Sequence, residues 1–218
     1  LMSASVRTLT ADLMLGAYAS GIFPMAENRR STEVFWLDPK RRGVFPLEDF
    51  HLSRSLQRKM RRGGYVTQIN GDFSSVVDAC ADREETWINP MLRGIYLELH
   101  RTEHAHSFEI RGEDGALWGA VFGLTIGGAW FGESMVSLVT DGSKLALAHL
   151  IDHLRRTGFV LFDTQFLTPH LASLGAREIP RAQYHRLLDV ALERPASILA
   201  CAPESDPAHV LHRMTHTS

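Results

Sequence analysis

From Ser107 to Ser134 the apolar side chains follow the two-residue period of β-strands, and this stretch limits the possible folds more than any other. The predicted strands are Ser107–Arg111, Leu117–Ile126 and Ala129–Ser134. An acidic turn, Glu113–Gly115, separates the first two strands, and Gly127–Gly128 is a good two-residue hairpin turn between the last two. The pattern therefore predicts an antiparallel meander.

The residues after the meander predict a crossover helix and a buried strand. Leu145–Arg156 has helical periodicity and is closed by Gly158, and the apolar run Val160–Phe162 fits a strand that joins the sheet in parallel. With two helices before the meander, this is the element order of an acetyltransferase-like (GNAT) α/β fold with a mixed sheet. We expect residues 43–218 to form that domain and residues 1–42 to form a small N-terminal domain.

Capping residues and apolar spacing indicate further helices. Thr10 is expected to cap a helix that runs to about Ser20, with an apolar stripe of Leu13, Met14, Ala17 and Tyr18. The other starts are at Asp72, Asn89, Thr168 and Pro180, with ends near Cys80, Glu103, Gly175 and Glu193. Ile22–Pro39 is rich in breakers and is expected to be irregular.

The composition excludes several classes of protein. The chain has 218 residues, of which 44% are apolar, as in a globular protein with one good-sized core. Its apolar runs are far shorter than the roughly 20 residues of a membrane helix, and its first residues lack the pattern of a secretion signal. We therefore expect a cytoplasmic, monomeric protein with no membrane partner.

The sequence does not indicate a metal or another cofactor. Cys80 and Cys201 are the only cysteines, and their spacing suggests neither a zinc site nor a disulfide framework. Cys80 is interpreted as a core residue. His104 and His106 lie two positions apart without a third ligand nearby, which favours a structural role for both.

Basic side chains are concentrated in one stretch of a chain whose net charge is only −2. The main cluster is Arg54, Arg58, Lys59, Arg61 and Arg62, and a second cluster just upstream is Lys40, Arg41 and Arg42. Such a patch can engage a limited number of phosphates. On the charge pattern alone, a solvated helix face is the preferred interpretation.

The apolar run at Phe159–Phe162 leads into an acid and an amide two positions apart, Asp163 and Gln165. Side chains at this spacing share one face of a strand, and clefts in open sheets lie at the carboxyl ends of strands. Such a pair can serve catalysis, because the acid can hold the amide in one orientation. The alternative is that Asp163 caps the following turn while Gln165 is merely solvated.

The loop before the crossover helix argues against coenzyme A as the acyl donor. In acetyltransferase-like folds a glycine-rich loop at this place holds the pyrophosphate of coenzyme A with free backbone amides. Here the loop is Leu138–Lys144, which has one glycine with an acid beside it. A different acyl donor is expected.

Six motifs, in order and spacing, resemble those of the leucyl/phenylalanyl-tRNA–protein transferase family. They are Gly21-Ile-Phe-Pro24, Glu84-Glu-Thr-Trp87-Ile, His104-Ala-His-Ser107, Gly132-Glu-Ser-Met135, Asp163-Thr-Gln165 and Ala172-Ser-Leu-Gly-Ala176. The resemblance spans about residues 12 to 190. It implies transfer of leucine, phenylalanine or sometimes methionine from a charged tRNA to an N-terminal arginine or lysine, which marks a bacterial protein for degradation.

The resemblance also implies roles for particular residues. Gln165 would accept a hydrogen bond from the attacking amine, Asp163 would orient the Gln165 amide, and Glu133 would lie at the acceptor amine. Residues implied near the 3′ end of the tRNA are Tyr18, Trp87 and Tyr96, with Met25 where many relatives have tryptophan. The implied apolar pocket for the amino acid is formed by Val121, Trp130 and Phe162. From periodicity alone, most of these residues would be assigned to the core.

Further differences from the family pattern are Val136, where a phenylalanine is common, and Glu103, where a glycine is common. They bear on donor preference and affinity. Three alternative functions stay open at this point. They are a coenzyme A-dependent acetyltransferase, a non-catalytic RNA-binding module that uses the Arg54–Arg62 patch, and a tRNA-dependent transferase that builds cell-wall bridges.

Overall fold

The computed structural model describes residues 9–215, so the outermost residues of both predicted domains lie outside it. The strands are β1 Phe23–Ala26, β2 Val34–Leu37, β3 Arg41–Phe45, β4 Tyr65–Ile69, β5 Ala105–Gly112, β6 Leu117–Ile126, β7 Ala129–Ser137, β8 Leu161–Gln165 and β9 Arg177–Pro180. The helices are α1 Ala11–Ala19, α2 Arg54–Arg62, α3 Phe73–Ala81, α4 Pro90–Arg101, α5 Gly142–Arg156, α6 Pro169–Ser173, α7 Arg181–Leu192 and α8 Pro207–Thr215.

A seven-stranded mixed sheet in the order β4-β5-β6-β7-β8-β3-β9 forms the centre of the molecule. The predicted meander is confirmed as β5-β6-β7, with Gly127–Gly128 turning between Ile126 and Ala129. Strand β8 joins β7 in parallel after the crossover helix α5, also as predicted, and the other pairings are antiparallel. The mixed α/β class is therefore confirmed.

Helices cover both faces of this sheet, because successive strand residues point in opposite directions. On β6, Ala120 and Phe122 belong to one core cluster together with residues of α1, α3, α4 and α7. The intervening Val121 belongs to a second cluster with residues of α2, α5 and α8. Helix α5 has apolar residues around most of its circumference and is almost wholly buried.

The predicted helix starts agree with the structure because they rest on local capping. Thr10, Asp72, Asn89 and Thr168 each accept a hydrogen bond from a backbone N–H of the first turn. Helix α7 follows Pro180 as predicted. One residue of the α1 stripe was wrongly assigned, since Leu13 is 44% exposed while Met14 and Tyr18 are buried.

The expectation that Ile22–Pro39 is irregular was wrong. Strands β1 and β2 pair there as an antiparallel two-stranded sheet, with Pro24 opposite Trp36. Each strand has only four residues, which is too short for a clear period. The sequence also gave no sign of β3, β4, β9 or α8. The predicted domain boundary between residues 42 and 43 falls inside β3 and stays a prediction.

None of the helices between residues 9 and 215 is long and apolar enough to cross a membrane.

The start of α5 lies directly against β6, and this contact depends on two glycines. A Cβ atom added at Gly119 would lie 2.2 Å from the carbonyl carbon of Gly142. No rotamer change relieves a clash with backbone. We predict that Gly119→Ala lowers the free energy of unfolding by about 3 kcal/mol, as overpacked cores do, measured by urea unfolding.

Gly94 is the matched control for this substitution. It lies within α4, and an added Cβ there meets nothing within 4 Å. Gly94→Ala should raise the free energy of unfolding by up to about 1 kcal/mol through helix propensity. Equal effects of the two substitutions would show that the packing of α5 against β6 does not exclude a side chain at residue 119.

Candidate active site

The parallel pairing of β7 with β8 brings an acid beside the Asp163-Thr-Gln165 segment. Phe131 is aligned with Asp163. The residues two positions further along, Glu133 and Gln165, therefore lie next to each other on the same face of the sheet. The side-chain nitrogen of Gln165 is 3.2 Å from Oε1 of Glu133. Both Asp163 and Gln165 lie within β8, which is longer than the predicted strand.

Glu133 is the centre of a buried hydrogen-bond cluster. The hydroxyl of Tyr18 donates to Oε1 and the hydroxyl of Tyr96 donates to Oε2, each at 2.5 Å. Glu133 is only 8% exposed. Residues from α1, α4, β7 and β8 thus converge on one carboxylate. We refer to Tyr18, Tyr96, Glu133 and Gln165 as the Glu133 cluster.

Burial raises the pKa of Glu133 to about 7. The hydrogen bonds from Tyr18 and Tyr96 act in the opposite direction, the negative charge of Asp163 raises the pKa further, and Arg42 lowers it. Burial and the Glu133 charge also raise the pKa of Tyr18 and of Tyr96 well above the ordinary value, so both phenols stay protonated and donate. The pKa of Glu133 therefore lies close to neutral pH, as is common for groups at functional sites.

The amide of Gln165 is held in a single chemical orientation. Its Nε2 donates to Glu133 and, at 3.3 Å, to the hydroxyl oxygen of Tyr18, whose own proton is already used on Glu133. When Glu133 is ionised, both neighbours need a donor, so the NH₂ group faces them. The carbonyl oxygen Oε1 of Gln165 has no hydrogen bond to any residue between 9 and 215. It is free to accept one from a substrate N–H.

The contacts of Asp163 differ from the expectation. Its carboxylate makes no hydrogen bond with the Gln165 side chain and instead accepts one of 2.8 Å from the Gln165 backbone N–H. This is the turn-capping contact of the alternative interpretation. The other half of that alternative does not hold, because the Gln165 amide is bonded inside the Glu133 cluster. Asp163 itself is fully buried.

Arg42 was wrongly grouped with the basic surface. It is 1% exposed and pairs with Asp163, with Nη2 2.6 Å from Oδ2 and Nε 2.9 Å from Oδ1. Tyr184 donates to Oδ2 of the same carboxylate at 2.9 Å. Neither Arg42 nor Tyr184 had been predicted in the site. The sequence carries no local signal for Arg42, because strand β3 was not predicted and the partner of Arg42 is 121 positions away.

A small cavity of about 100 Å³ adjoins Glu133. Two of the three residues predicted for the apolar pocket, Val121 and Phe162, line it. The third, Trp130, is fully buried, and its ring lies 6.3 Å from that of Phe162, so it backs the wall without lining the cavity. Further lining residues are Phe45, Met135, Leu147 and Leu171.

The four residues implied near the 3′ end of the tRNA fall into two groups. Tyr18 and Tyr96 are fully buried and contribute hydroxyl groups to the Glu133 cluster, so neither offers a ring face to a base. Trp87 and Met25 are partly exposed. The ring of Trp87 packs edge-on against Tyr96 at 6.2 Å. A stacking surface for adenine can come from Trp87 but not from the two tyrosines.

The basic cluster Arg54–Arg62 forms helix α2, with Leu56 and Met60 buried beneath it. Arg54, Arg58, Arg61 and Arg62 are exposed, and Lys59 donates a hydrogen bond to the carbonyl of Thr140. A groove of about 690 Å³ is lined by Arg58, Lys59, Arg62 and Trp118 together with residues 139–141. The geometry accommodates both a phosphate-binding patch and a solvated helix face.

The two histidines considered as metal ligands have structural contacts. The Nε2 of His106 is 2.9 Å from the carbonyl of Glu103 and its Nδ1 is 3.0 Å from the Asn70 amide, while burial lowers its pKa to about 4. Cys80 is buried as expected, and burial raises the pKa of its thiol to about 12. Among residues 9–215, no group of three or more His, Cys, Asp and Glu side chains is arranged to hold a metal ion.

Comparison with known proteins identifies the family. The family model for the N-terminal domain of leucyl/phenylalanyl-tRNA protein transferase matches residues 7–40, and the model for leucyl/phenylalanyl-tRNA protein transferase itself matches residues 44–189. The chain belongs to this family. It is an aminoacyltransferase, and the resemblance seen in the six motifs is confirmed.

Curated relatives match almost the whole chain. The leucyl/phenylalanyl-tRNA–protein transferase of Ruegeria pomeroyi is 59% identical over 211 residues, which cover 97% of this chain and 100% of that protein. The enzyme of the same name from Cereibacter sphaeroides (strain ATCC 17025) is 58% identical over 210 residues, covering 96% of this chain and 98% of that protein. Both relatives are bacterial.

Among solved structures, the crystal structure of FemX is similar to this transferase in fold. The TM-score is 0.50 with 11% sequence identity, and the match covers 85% of this chain and 72% of FemX. At this identity the likeness concerns the fold alone.

The loop before α5 differs from a phosphate cradle, because the Ser143 N–H is bonded to Ser137 Oγ and the Gly142 N–H to the Val139 carbonyl.

The raised pKa of Glu133 makes the stability of this transferase depend on pH. The folded-state pKa of about 7 exceeds the ordinary value of 4.5, so the folded protein binds the proton more tightly than the unfolded chain. Stability from this group is complete below about pH 4.5 and is lost as pH rises through about 7. At pH 8 the ionised group should cost about 3 kcal/mol.

Glu133→Gln removes this titration while keeping the shape of the side chain. We predict that the variant is more stable than wild type at pH 8 and similar to it at pH 5, measured by urea unfolding between these values. Glu98→Gln, on the exposed face of α4, is the control and should show no such trend. A constant difference between Glu133→Gln and wild type would contradict the assignment.

Proposed function

We propose that this transferase moves leucine or phenylalanine, and also methionine, from aminoacyl-tRNA to the N-terminal arginine or lysine of acceptor proteins, creating a degradation signal. The observation that carries the proposal is the locked amide of Gln165. Its NH₂ group is bound inside the Glu133 cluster, which leaves its carbonyl oxygen to receive an N–H of the acceptor α-amine. Names of curated relatives support the donor and the protein acceptor.

The reaction needs positioning more than it needs a strong base. The ester of aminoacyl-tRNA is already activated, and the ordinary pKa of an α-amine lies near 8. The amine nitrogen bonds to the ester carbonyl, the bond to the ribose oxygen breaks, and one proton passes from the amine to that oxygen. Gln165 Oε1 orients the amine, and much of the acceleration comes from holding the two ends together.

In this scheme Glu133 is the group that accepts the proton from the amine and returns it to the ribose oxygen. Its pKa of about 7 lies close to the working pH, where a proton is accepted and returned with little cost. It lines the small cavity and bonds the Gln165 amide. Asp163 is saturated with donors and does not contact substrate in this scheme. Its role is to hold the backbone of Gln165.

The donor side chain is proposed to enter the cavity lined by Val121 and Phe162, with Trp130 behind it. Apolar walls of this kind separate substrates that differ by a methylene by only about 1 to 3 kcal/mol. Overlapping use of leucine, phenylalanine and methionine follows. Trp87 is the proposed stacking surface for the terminal adenine, and Met25, on strand β1 of the N-terminal hairpin, is proposed as a weaker surface. Stacking of one base on an aromatic ring contributes about 1 to 3 kcal/mol.

The basic residues of α2 are proposed to hold phosphates of the tRNA, and no further cofactor is invoked. The likeness in fold to FemX supports a GNAT-like central domain, and the match of the N-terminal family model to residues 7–40 supports a small N-terminal domain before it. We also propose that the enzyme acts as a monomer in the cytoplasm.

Gln165→Ala should abolish the orienting hydrogen bond. We predict that kcat for transfer of radiolabelled leucine or phenylalanine to a peptide with N-terminal arginine falls roughly 100-fold or more, comparable to loss of one transition-state hydrogen bond. The dissociation constant for aminoacyl-tRNA should not change, because α2 is intact. Initial rates at saturating substrates and filter binding provide these two numbers.

The control is Gln183→Ala, which removes an exposed glutamine from α7. It should transfer at the wild-type rate. Peptides that begin with arginine or lysine should be labelled, and one that begins with alanine should not. Full activity of Gln165→Ala would remove the main support for the mechanism, and labelling of the alanine peptide would contradict the proposed acceptor.

Removal of two α2 charges tests the tRNA surface. Arg58→Ala/Arg62→Ala should weaken aminoacyl-tRNA binding and flatten the plot of log affinity against log salt by about 1.5 to 2, near 0.9 per lost phosphate contact. The rate at saturating tRNA should be unchanged. Arg101→Ala/Arg186→Ala removes two exposed charges elsewhere and should leave the slope as in wild type. Identical slopes in both double variants would favour the solvated helix face.

A further inference from the structure

The carboxylate of Asp163 is fully occupied by protein donors. Oδ1 accepts from Arg42 Nε at 2.9 Å and from the Gln165 backbone N–H at 2.8 Å. Oδ2 accepts from Arg42 Nη2 at 2.6 Å and from the Tyr184 hydroxyl at 2.9 Å. With no exposed surface, Asp163 can influence the reaction only through the groups that it holds.

Arg42 is held as firmly as its partner. Its guanidinium carbon lies over two aromatic rings, 4.5 Å from the centre of the Phe23 ring and 4.3 Å from that of the Tyr184 ring. Its Nη1 donates to the carbonyl of Gly21 at 2.8 Å. A planar, delocalised cation suits this place because it can stack on both faces and bond at its edges. The compact ammonium of lysine lacks this planar, two-pronged geometry.

The contacts of Arg42 join two of the elements that form the Glu133 cluster, α1 and β8. Gly21 lies just after α1, the helix that carries Tyr18, and Asp163 lies on β8 two residues before Gln165. Arg42 therefore connects the end of α1 to the end of β8. Tyr18 and Gln165 approach Glu133 from these two elements.

The backbone of Gln165 explains why such a connection is needed. Its φ angle is +65°, in the left-handed region that residues other than glycine rarely adopt. A residue stays there only when its surroundings fix it. The hydrogen bond from its N–H to Asp163 is a fixing contact, and Asp163 is in turn oriented by Arg42 and Tyr184.

We propose that Arg42, assisted by Tyr184, is a positioning residue for aminoacyl transfer, which fixes Asp163 so that Gln165 keeps the strained conformation in which its amide meets Glu133. The importance of this position for catalysis rests on the proposed function. The proposed geometry, in which Arg42 fixes Asp163 and thereby Gln165, does not rest on the proposed function and can be measured separately. Arg42 does not touch substrate in this scheme.

Arg42→Lys keeps the charge and loses the two-pronged geometry. We expect kcat to fall roughly 10- to 100-fold, the scale of a small misplacement of a reacting group, while KM for both substrates stays within about twofold of wild type. Tyr184→Phe should act in the same direction by a smaller factor. Arg41→Lys is the control, because the Arg41 side chain is 55% exposed and pairs at the surface with Glu178, at 3.6 Å.

A double-mutant cycle distinguishes positioning from general damage. If Arg42 acts through Gln165, Arg42→Lys should change kcat by less than about twofold in a Gln165→Ala background. Equal losses in both backgrounds would overturn the proposal. Thermal unfolding and tRNA binding are measured for each variant. Tyr184→Phe replaces Arg42→Lys in the cycle if Arg42→Lys does not fold.

Hydrogen exchange at the Gln165 backbone amide tests the geometry without reference to activity. The exchange measured by NMR should be slow in wild type and in Arg41→Lys, and faster in Arg42→Lys and Tyr184→Phe. Unchanged exchange at Gln165 in Arg42→Lys would overturn the proposal. Absence of transfer by the wild-type enzyme would contradict the proposed function, and the exchange result would still decide whether Arg42 positions Gln165.

Discussion

The buried pair between Arg42 and Asp163 is the interaction on which the geometry of the site depends. Removing two charges from water costs several kcal/mol for each ion, and a protein recovers this only when the remaining donors and acceptors are satisfied. Here that condition is met: Tyr184 and the Gln165 backbone complete the carboxylate, while Gly21 and two aromatic rings complete the guanidinium. The pair connects strands β3 and β8 at the edge of the Glu133 cluster.

The second buried carboxylate is treated differently. Glu133 is surrounded by neutral donors, two phenols and an amide, and it has no cation in direct contact among residues 9–215. Its charge is therefore less well compensated than that of Asp163, and its pKa rises to about 7. Two acids in adjacent strands thus have separate tasks. Asp163 supports the backbone of Gln165, and Glu133 is proposed to exchange a proton.

Local signals in the sequence predicted much of the fold. Capping residues at Thr10, Asp72 and Asn89, the Gly127–Gly128 turn and the change of period near Ser107 each depend on neighbours in the chain. Strand β3 could not be found in this way, because it begins with two arginines and is stabilised by pairing with distant strands. The motifs identified the family and the residues Glu133, Asp163 and Gln165. They did not reveal that Tyr18 and Tyr96 are buried donors or that Arg42 lies inside.

The contacts that form the site join distant parts of the chain, and this has a consequence for synthesis. Tyr18 and Glu133 are 115 positions apart, and Arg42 and Asp163 are 121 apart. Closing such loops is slow compared with forming a helix. When Arg42 leaves the ribosome, its counter-ion has not yet been translated. A nascent chain therefore cannot complete the Glu133 cluster, and is expected to be inactive in aminoacyl transfer, until β8 has been made and has joined the sheet.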